Sequence, residues 1–164
     1  MAWLEEYLNV DTGEEVTVYR HSTIRYCDEV GNEFGTPQHP AWCRDCNSIV
    51  NAEAYRIFLG EQREGIQTAL RDPDSQWAFI FKDAASASAA LDELDTLASF
   101  LDGRRATPRC LECFSEDIVL LPKREEGLEF ECPDGNRYRW IGFGHASMIV
   151  ELELKLSREG LPTN

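Results

Sequence analysis

Cys43-Arg44-Asp45-Cys46 and Cys110-Leu111-Glu112-Cys113 are the two stretches whose reading decides the fold. Each is a CxxC knuckle, the spacing at which one tight turn delivers two sulfurs to a single ion without strain. Such a turn ends well on a residue that tolerates positive φ, and Asn47 stands directly after Cys46. Beyond the knuckles lies one further cysteine on each outer flank, Cys27 before the first and Cys132 after the second. Read outward from the middle, the cysteine pattern is nearly a mirror image.

Between the knuckles the hydrophobic period is helical. Over residues 52–70, Tyr55, Phe58, Leu59, Ile66, Ala69 and Leu70 recur at three- and four-residue spacing, with Glu61, Arg63 and Glu64 on the other face. Gly60 and Gly65 weaken this helix by about 1 kcal/mol each relative to Ala. Arg71-Asp72-Pro73-Asp74-Ser75 breaks it. Trp77-Ala78-Phe79-Ile80-Phe81 is a short apolar run that periodicity leaves open between a buried strand and a packed loop. Asp83 is a good N-cap for a second helix over residues 84–101, with Ala87, Leu91, Leu94, Ala98 and Leu101 as its apolar stripe and Gly103 as its C′ residue. A short connection predicts an antiparallel hairpin whose stripes are core.

The flanks read as strands. Trp3, Leu4, Tyr7, Leu8 and Val10 run into the turn Asp11-Thr12-Gly13-Glu14, and Val16-Thr17-Val18-Tyr19 follows, predicting a hairpin over residues 1–20. After the second knuckle, residues 117–121 and 128–132 read as a strand and its return, and Asp134-Gly135-Asn136 as a tight turn. Gly142 and Gly144 mark a strand bulge. The run 149–156 alternates from Val150 onward and reads as a half-buried strand. The expected organisation is one unit: a β-rich part over 1–50, a helical hairpin over 51–104, a second β-rich part over 105–157 and a tail over 158–164.

The formal charge of −14, from 16 Lys and Arg against 30 Asp and Glu, argues against a general nucleic-acid binder, which needs clustered cations for phosphate. It suits a basic protein partner. The acidic start Met-Ala-Trp-Leu-Glu-Glu has neither part of a signal peptide, and no apolar run reaches membrane-spanning length. A cytoplasmic location is the expectation, and there paired CxxC motifs read as metal ligands before disulfides.

Both flanks resemble the zinc-ribbon (rubredoxin-like) group, in which two knuckles on adjacent hairpins hold one zinc. The stretch Tyr26-Cys27-Asp28-Glu29-Val30-Gly31 with Trp42-Cys43-Arg44-Asp45-Cys46 is similar to one ribbon, with Val30 where a cysteine is expected. Cys110-Leu111-Glu112-Cys113-Phe114-Ser115 with Phe130-Glu131-Cys132-Pro133-Asp134-Gly135-Asn136 is similar to another, with Gly135 at that position. The resemblance implies zinc and a structural role, with no reaction common to the group. The fold class expected is α+β, with two small antiparallel ribbon-like ends and a central antiparallel helical hairpin.

Two ligand sets then stand open. In the first, His39 or His21 joins Cys27, Cys43 and Cys46, while His145 joins Cys110, Cys113 and Cys132, giving two sites of three thiolates and one imidazole. In the second, the hairpin brings its ends together and Cys43, Cys46, Cys110 and Cys113 share one ion, leaving Cys27 and Cys132 as small hydrophobes. Catalytic signatures are missing: there is no HExxH, no deaminase pattern, and Gly142-Phe143-Gly144-His145 lacks the serine of a nucleophile elbow. The function expected is a non-enzymatic zinc-binding interaction module for a basic partner, such as an adaptor or an immunity-type inhibitor. The rivals are a ribbon that touches nucleic acid and a CxxC thiol oxidoreductase.

Overall fold

The computed structural model describes residues 2–21, 23–81, 83–122, 124–146 and 153–163, with backbone alone for residues 2, 3, 145 and 146. The chain is α+β and divides into two units, Met1–Glu53 with Ala106–Asn164, and Ala54–Arg105. The second unit is therefore an excursion of the chain between the two knuckles.

In the first unit, β1 (Ala2–Asn9) and β2 (Glu15–Arg20) form the expected hairpin. Its turn is set by Asn9, whose Oδ1 accepts the backbone N–H groups of Asp11 and Thr12, and by Gly13 at φ 79°. The next strands are β3 (Ile24–Cys27), β4 (Glu33–Gly35), β5 (Gln38–Cys43) and β6 (Ser48–Glu53). After the second unit come β7 (Ile118–Leu120), β8 (Glu129–Glu131), β9 (Arg137–Ala146) and β10 (Leu154–Leu156).

These strands sort into three sheets with orders β2-β1-β9-β8, β10-β3-β4 and β6-β5-β7. β7 does not return on β8, as a ribbon hairpin over 117–132 would require. It adds to β5, with Cys43 opposite Ile118, and β8 pairs with β9. The bulge expected near Gly142 is present: Glu6 faces Gly142 and Tyr7 faces Trp140, so Ile141 is the extra residue. β10 pairs in parallel with β3, and residues 149–152 of the expected closing strand lie outside the described residues.

The core of this unit joins Tyr7, Val18, Trp42, Ile49, Leu121, Cys132 and Tyr138. A polar knot is buried beside it. Glu5 is fully buried, accepts the Tyr7 hydroxyl at 3.0 Å, and is clamped by Arg124 Nε at 2.6 Å and Arg20 Nε at 2.9 Å. Burial of a carboxylate is tolerable only with such partners. Tyr7 titrates far above its ordinary value, chiefly from burial and then from the Glu5 charge.

The second unit is the helical hairpin. α1 (Tyr55–Arg71) buries Ile66, and α2 (Ala84–Leu101) buries Ala87 and Leu94 against it. Arg63 pairs with Asp95, and the Arg104 guanidinium lies 4.7 Å over the Tyr55 ring, so the helices run antiparallel. Asp83 and Ser86 form a reciprocal capping box, which explains why α2 starts where it does. Gly103 at φ 78° follows it, as the C′ position requires. The ambiguous run 77–81 is a packed turn containing a short 3-10 segment, Ala78–Ile80. Gly65 is what lets Trp77 pack: a Cβ there would stand 2.5 Å from the indole ring.

Candidate metal centre

The first knuckle is the β5–β6 turn. Cys43 closes β5, Cys46 lies in the turn, and Asn47 takes φ 50° before Ser48 opens β6. Asn47 N–H donates to Arg44 O at 3.2 Å, closing the loop. The second knuckle is built against the same hairpin. Cys110 bridges Ala52 of β6, and Leu111 N–H donates to Asn51 O at 2.9 Å. Phe114 mirrors Asn47 with φ 62°, and the Glu112 and Cys113 amides point at Cys110 Sγ at 3.3 and 3.4 Å. Amides aimed at a sulfur favour its thiolate form.

Arg44 N–H donates to Asp117 O at 3.1 Å, and β7 then runs along β5. One three-stranded sheet therefore carries both turns, and the four sulfurs converge. Cys43 and Cys113 Sγ are 3.5 Å apart, Cys46 and Cys110 Sγ 3.8 Å, and all four lie within 4.8 Å of one another. These spacings exceed a disulfide bond, and the cysteines are free. They match a tetrahedron instead: four sulfurs at about 2.3 Å from Zn²⁺ stand about 3.8 Å from each other. The site can hold a metal ion, and its geometry is compatible with a zinc-ribbon-like centre assembled from the two knuckles.

Electrostatics around the sulfurs are mixed. Burial pushes the Cys110 thiol up to about 12 and the Cys46 thiol well above its usual value, and adjoining sulfurs add to the rise. At Cys113 burial also raises the value, but Ser115 N–H and the adjoining thiols outweigh it and the net direction is down. Four thiolates on one divalent ion leave a charge of about −2. Two guanidiniums belong to the knuckles that carry it. Arg109 donates Nη1 to Phe114 O at 2.9 Å and pairs with Glu116 at 2.7 Å, while Arg44 pairs with Asp117 at 3.3 Å.

Of the other candidate ligands, Cys27, Cys132, His39 and His21 are not part of this four-cysteine group. Cys27 ends β3 in the sheet β10-β3-β4, its thiol directed at Asp28 O. Cys132 is part of the unit's apolar core, where burial and the Asp134 charge push its thiol up to about 12. His39 lies on β5 with Nε2 3.0 Å from Leu121 O, and burial holds its pKa below the ordinary value. His21 N–H donates to Gln38 Oε1 at 3.2 Å. His145 faces Trp3 across β9 and β1, and its side chain is outside the described residues. Among the described residues, the four knuckle cysteines are the group placed for a metal.

One support escaped the sequence. Glu53, fully buried at the end of β6, accepts the Tyr26 hydroxyl at 2.7 Å and Arg109 N–H at 2.8 Å. It ties the residue before Cys110 to the hairpin of the first knuckle. A lone acid at a strand end carries no signal of such a role.

No protein-family model matches this chain, and comparisons with curated proteins and with solved structures find no match either.

Proposed function

We propose that the chain is a non-enzymatic, zinc-binding interaction module whose acidic surface receives a basic protein partner. The convergence of four thiols from two knuckles carries the metal half of this reading. Tetrahedral sulfur sites suit Zn²⁺ or iron, and zinc needs no redox chemistry from the protein. Cys43, Cys46, Cys110 and Cys113 would hold the ion as thiolates. When bound, it supplies a cross-link between sequence-distant turns, which in small structural sites stabilises folding by on the order of 10 kcal/mol. Four protein ligands close the coordination sphere, and closed sites are structural, whereas catalytic zinc keeps an open position.

The partner half rests on the charge of −14. A field of that sign speeds encounter with a cationic surface and repels nucleic acid. An adaptor, a regulatory subunit or an immunity-type inhibitor of a basic target all fit this description. The test is elemental analysis of protein purified without added metal, joined to binding of polylysine and of duplex DNA across a salt series. One zinc per chain with salt-sensitive polylysine binding supports the reading. Iron in place of zinc, or DNA affinity that weakens steeply with salt, would replace it.

A further inference from the structure

The helical unit displays apolar side chains that its own fold does not use. Phe79 is 86% exposed and Ile80 is 66% exposed. They do not sit on a loose loop. The Asp72 carboxylate accepts Asp74 N–H at 3.1 Å, Ser75 Oγ accepts Ala78 N–H at 3.3 Å, and Phe81 N–H closes on Ala78 O at 3.2 Å. Trp77 anchors the turn on Gly65, and the capping box of α2 holds its far end. Two adjacent exposed apolar side chains on an ordered turn form a candidate contact patch where an apolar groove adjoins them.

Beside them runs a groove of about 230 Å³ lined by Ala69, Leu70, Pro73, Phe81, Ala84 and Ala87. It is smaller than the roughly 300–1,000 Å³ of sites that enclose a drug-sized molecule. Its size suits one or two inserted side chains. Asp83 lines it, Asp72 and Asp74 flank its Pro73 in the chain with exposed carboxylates, and the same stretch carries Arg71 and Lys82, three acids against two bases. A second copy of the chain would bring another −14 to the contact, which self-repulsion opposes.

We infer that this groove, with Phe79 and Ile80, docks an amphipathic helix of a partner protein, one or two side chains of its apolar stripe inserted, the rest of the stripe against Phe79 and Ile80, and its basic residues against the aspartates. The inference rests on the basic-partner reading above and assigns that partner's anchor to the helical unit, in the helix-in-groove mode.

The probe is a labelled synthetic helix with leucines at i, i+3, i+4 and i+7 and lysines elsewhere, titrated against the intact, metal-loaded chain in raised salt. Two variants leave the core alone: the double change Phe79→Ser with Ile80→Ser, and Ala84→Phe, which fills the groove from an exposed position. The expected result is saturable binding by the wild type that weakens at least roughly tenfold in both variants, with unchanged circular dichroism and metal content. Equal binding by wild type and variants overturns the docking site, yet leaves the basic-partner reading standing, because the lysines then engage the acidic surface elsewhere. Absence of binding to the wild type overturns the docking site too, while polylysine decides the basic-partner reading separately. Equal affinity for a leucine–glutamate helix removes the charge argument and with it the stated partner. Self-association abolished by the double change would make a second copy the occupant and overturn the proposal.

Discussion

Cys43 Sγ and Cys113 Sγ lie 3.5 Å apart although 70 positions separate them in the chain. The helical unit leaves after β6 and returns just ahead of Cys110, and Glu53 and Asn51 of β6 receive the returning backbone. An ion on these sulfurs therefore closes a long loop, whose closure entropy the unfolded chain retains.

Loss of one thiolate should then be costly where a solitary cysteine is cheap. Cys113→Ser, at an exposed ligand, is expected to abolish metal retention and forfeit much of a contribution on the order of 10 kcal/mol. Cys27→Ser should change stability by about 1 kcal/mol or less. Chemical denaturation with and without a chelator measures both, and the chelator should leave the Cys113→Ser curve unmoved.

The two helix glycines should respond in opposite directions. At Gly60 an added Cβ meets nothing within 4 Å, so Gly60→Ala should stabilise the helical unit by up to about 1 kcal/mol. At Gly65 the Cβ would collide with the Trp77 ring at 2.5 Å, and Gly65→Ala should cost about 1–3 kcal/mol net. Thermal melts give the sign, and a shift in tryptophan emission should accompany the second change alone.

Glu5 should be among the most sensitive polar positions. Glu5→Ala strands Arg20 and Arg124 beside a buried pocket, for which about 3–5 kcal/mol is the usual loss; their partial exposure of 34% and 28% places the expectation near the lower end. A denaturant titration that moved by less than about 1 kcal/mol would mean that water already satisfies both guanidiniums.

His39 should give stability a slope in mild acid. Burial lowers its folded pKa below the ordinary value of 6.5. As pH falls through the unfolded value, the unfolded state binds a proton that the folded state refuses. Stability is therefore complete above that value and declines below it. His39→Gln keeps a donor for Leu121 O and should flatten the loss between pH 7 and pH 5, read from unfolding midpoints at each pH.

Much of this was legible because local chemistry and tertiary structure agree. Asp83 and Gly103 bracket α2 as their types demand, and the Asp11–Glu14 turn joins β1 to β2. The knuckles were legible as tight cysteine turns from their CxxC spacing, and Asn47 supplies the positive φ that the first of them needs. Strand partnership was not legible. Nothing in Ile118-Val119-Leu120 says that it pairs with β5 and not with β8, yet that choice puts β8, which runs into Cys132, in a different sheet from β7. β3, likewise, joins β4 and β10, which leaves Cys27 in a different sheet from Cys43. Mirror symmetry in the sequence suggested two ribbons, and long-range pairing gathers one cluster. The buried acids Glu5 and Glu53 were equally silent, since their partners lie up to 119 positions away.

The most direct test of the central claim is metal stoichiometry on protein carrying both Cys27→Ala and Cys132→Ala, beside wild type and Cys46→Ser. The shared four-thiolate centre predicts one zinc per chain in wild type and in the double variant, and none in Cys46→Ser. Two ions in wild type, with loss on removing Cys27 and Cys132, would contradict it, as would a chain that binds no metal at all.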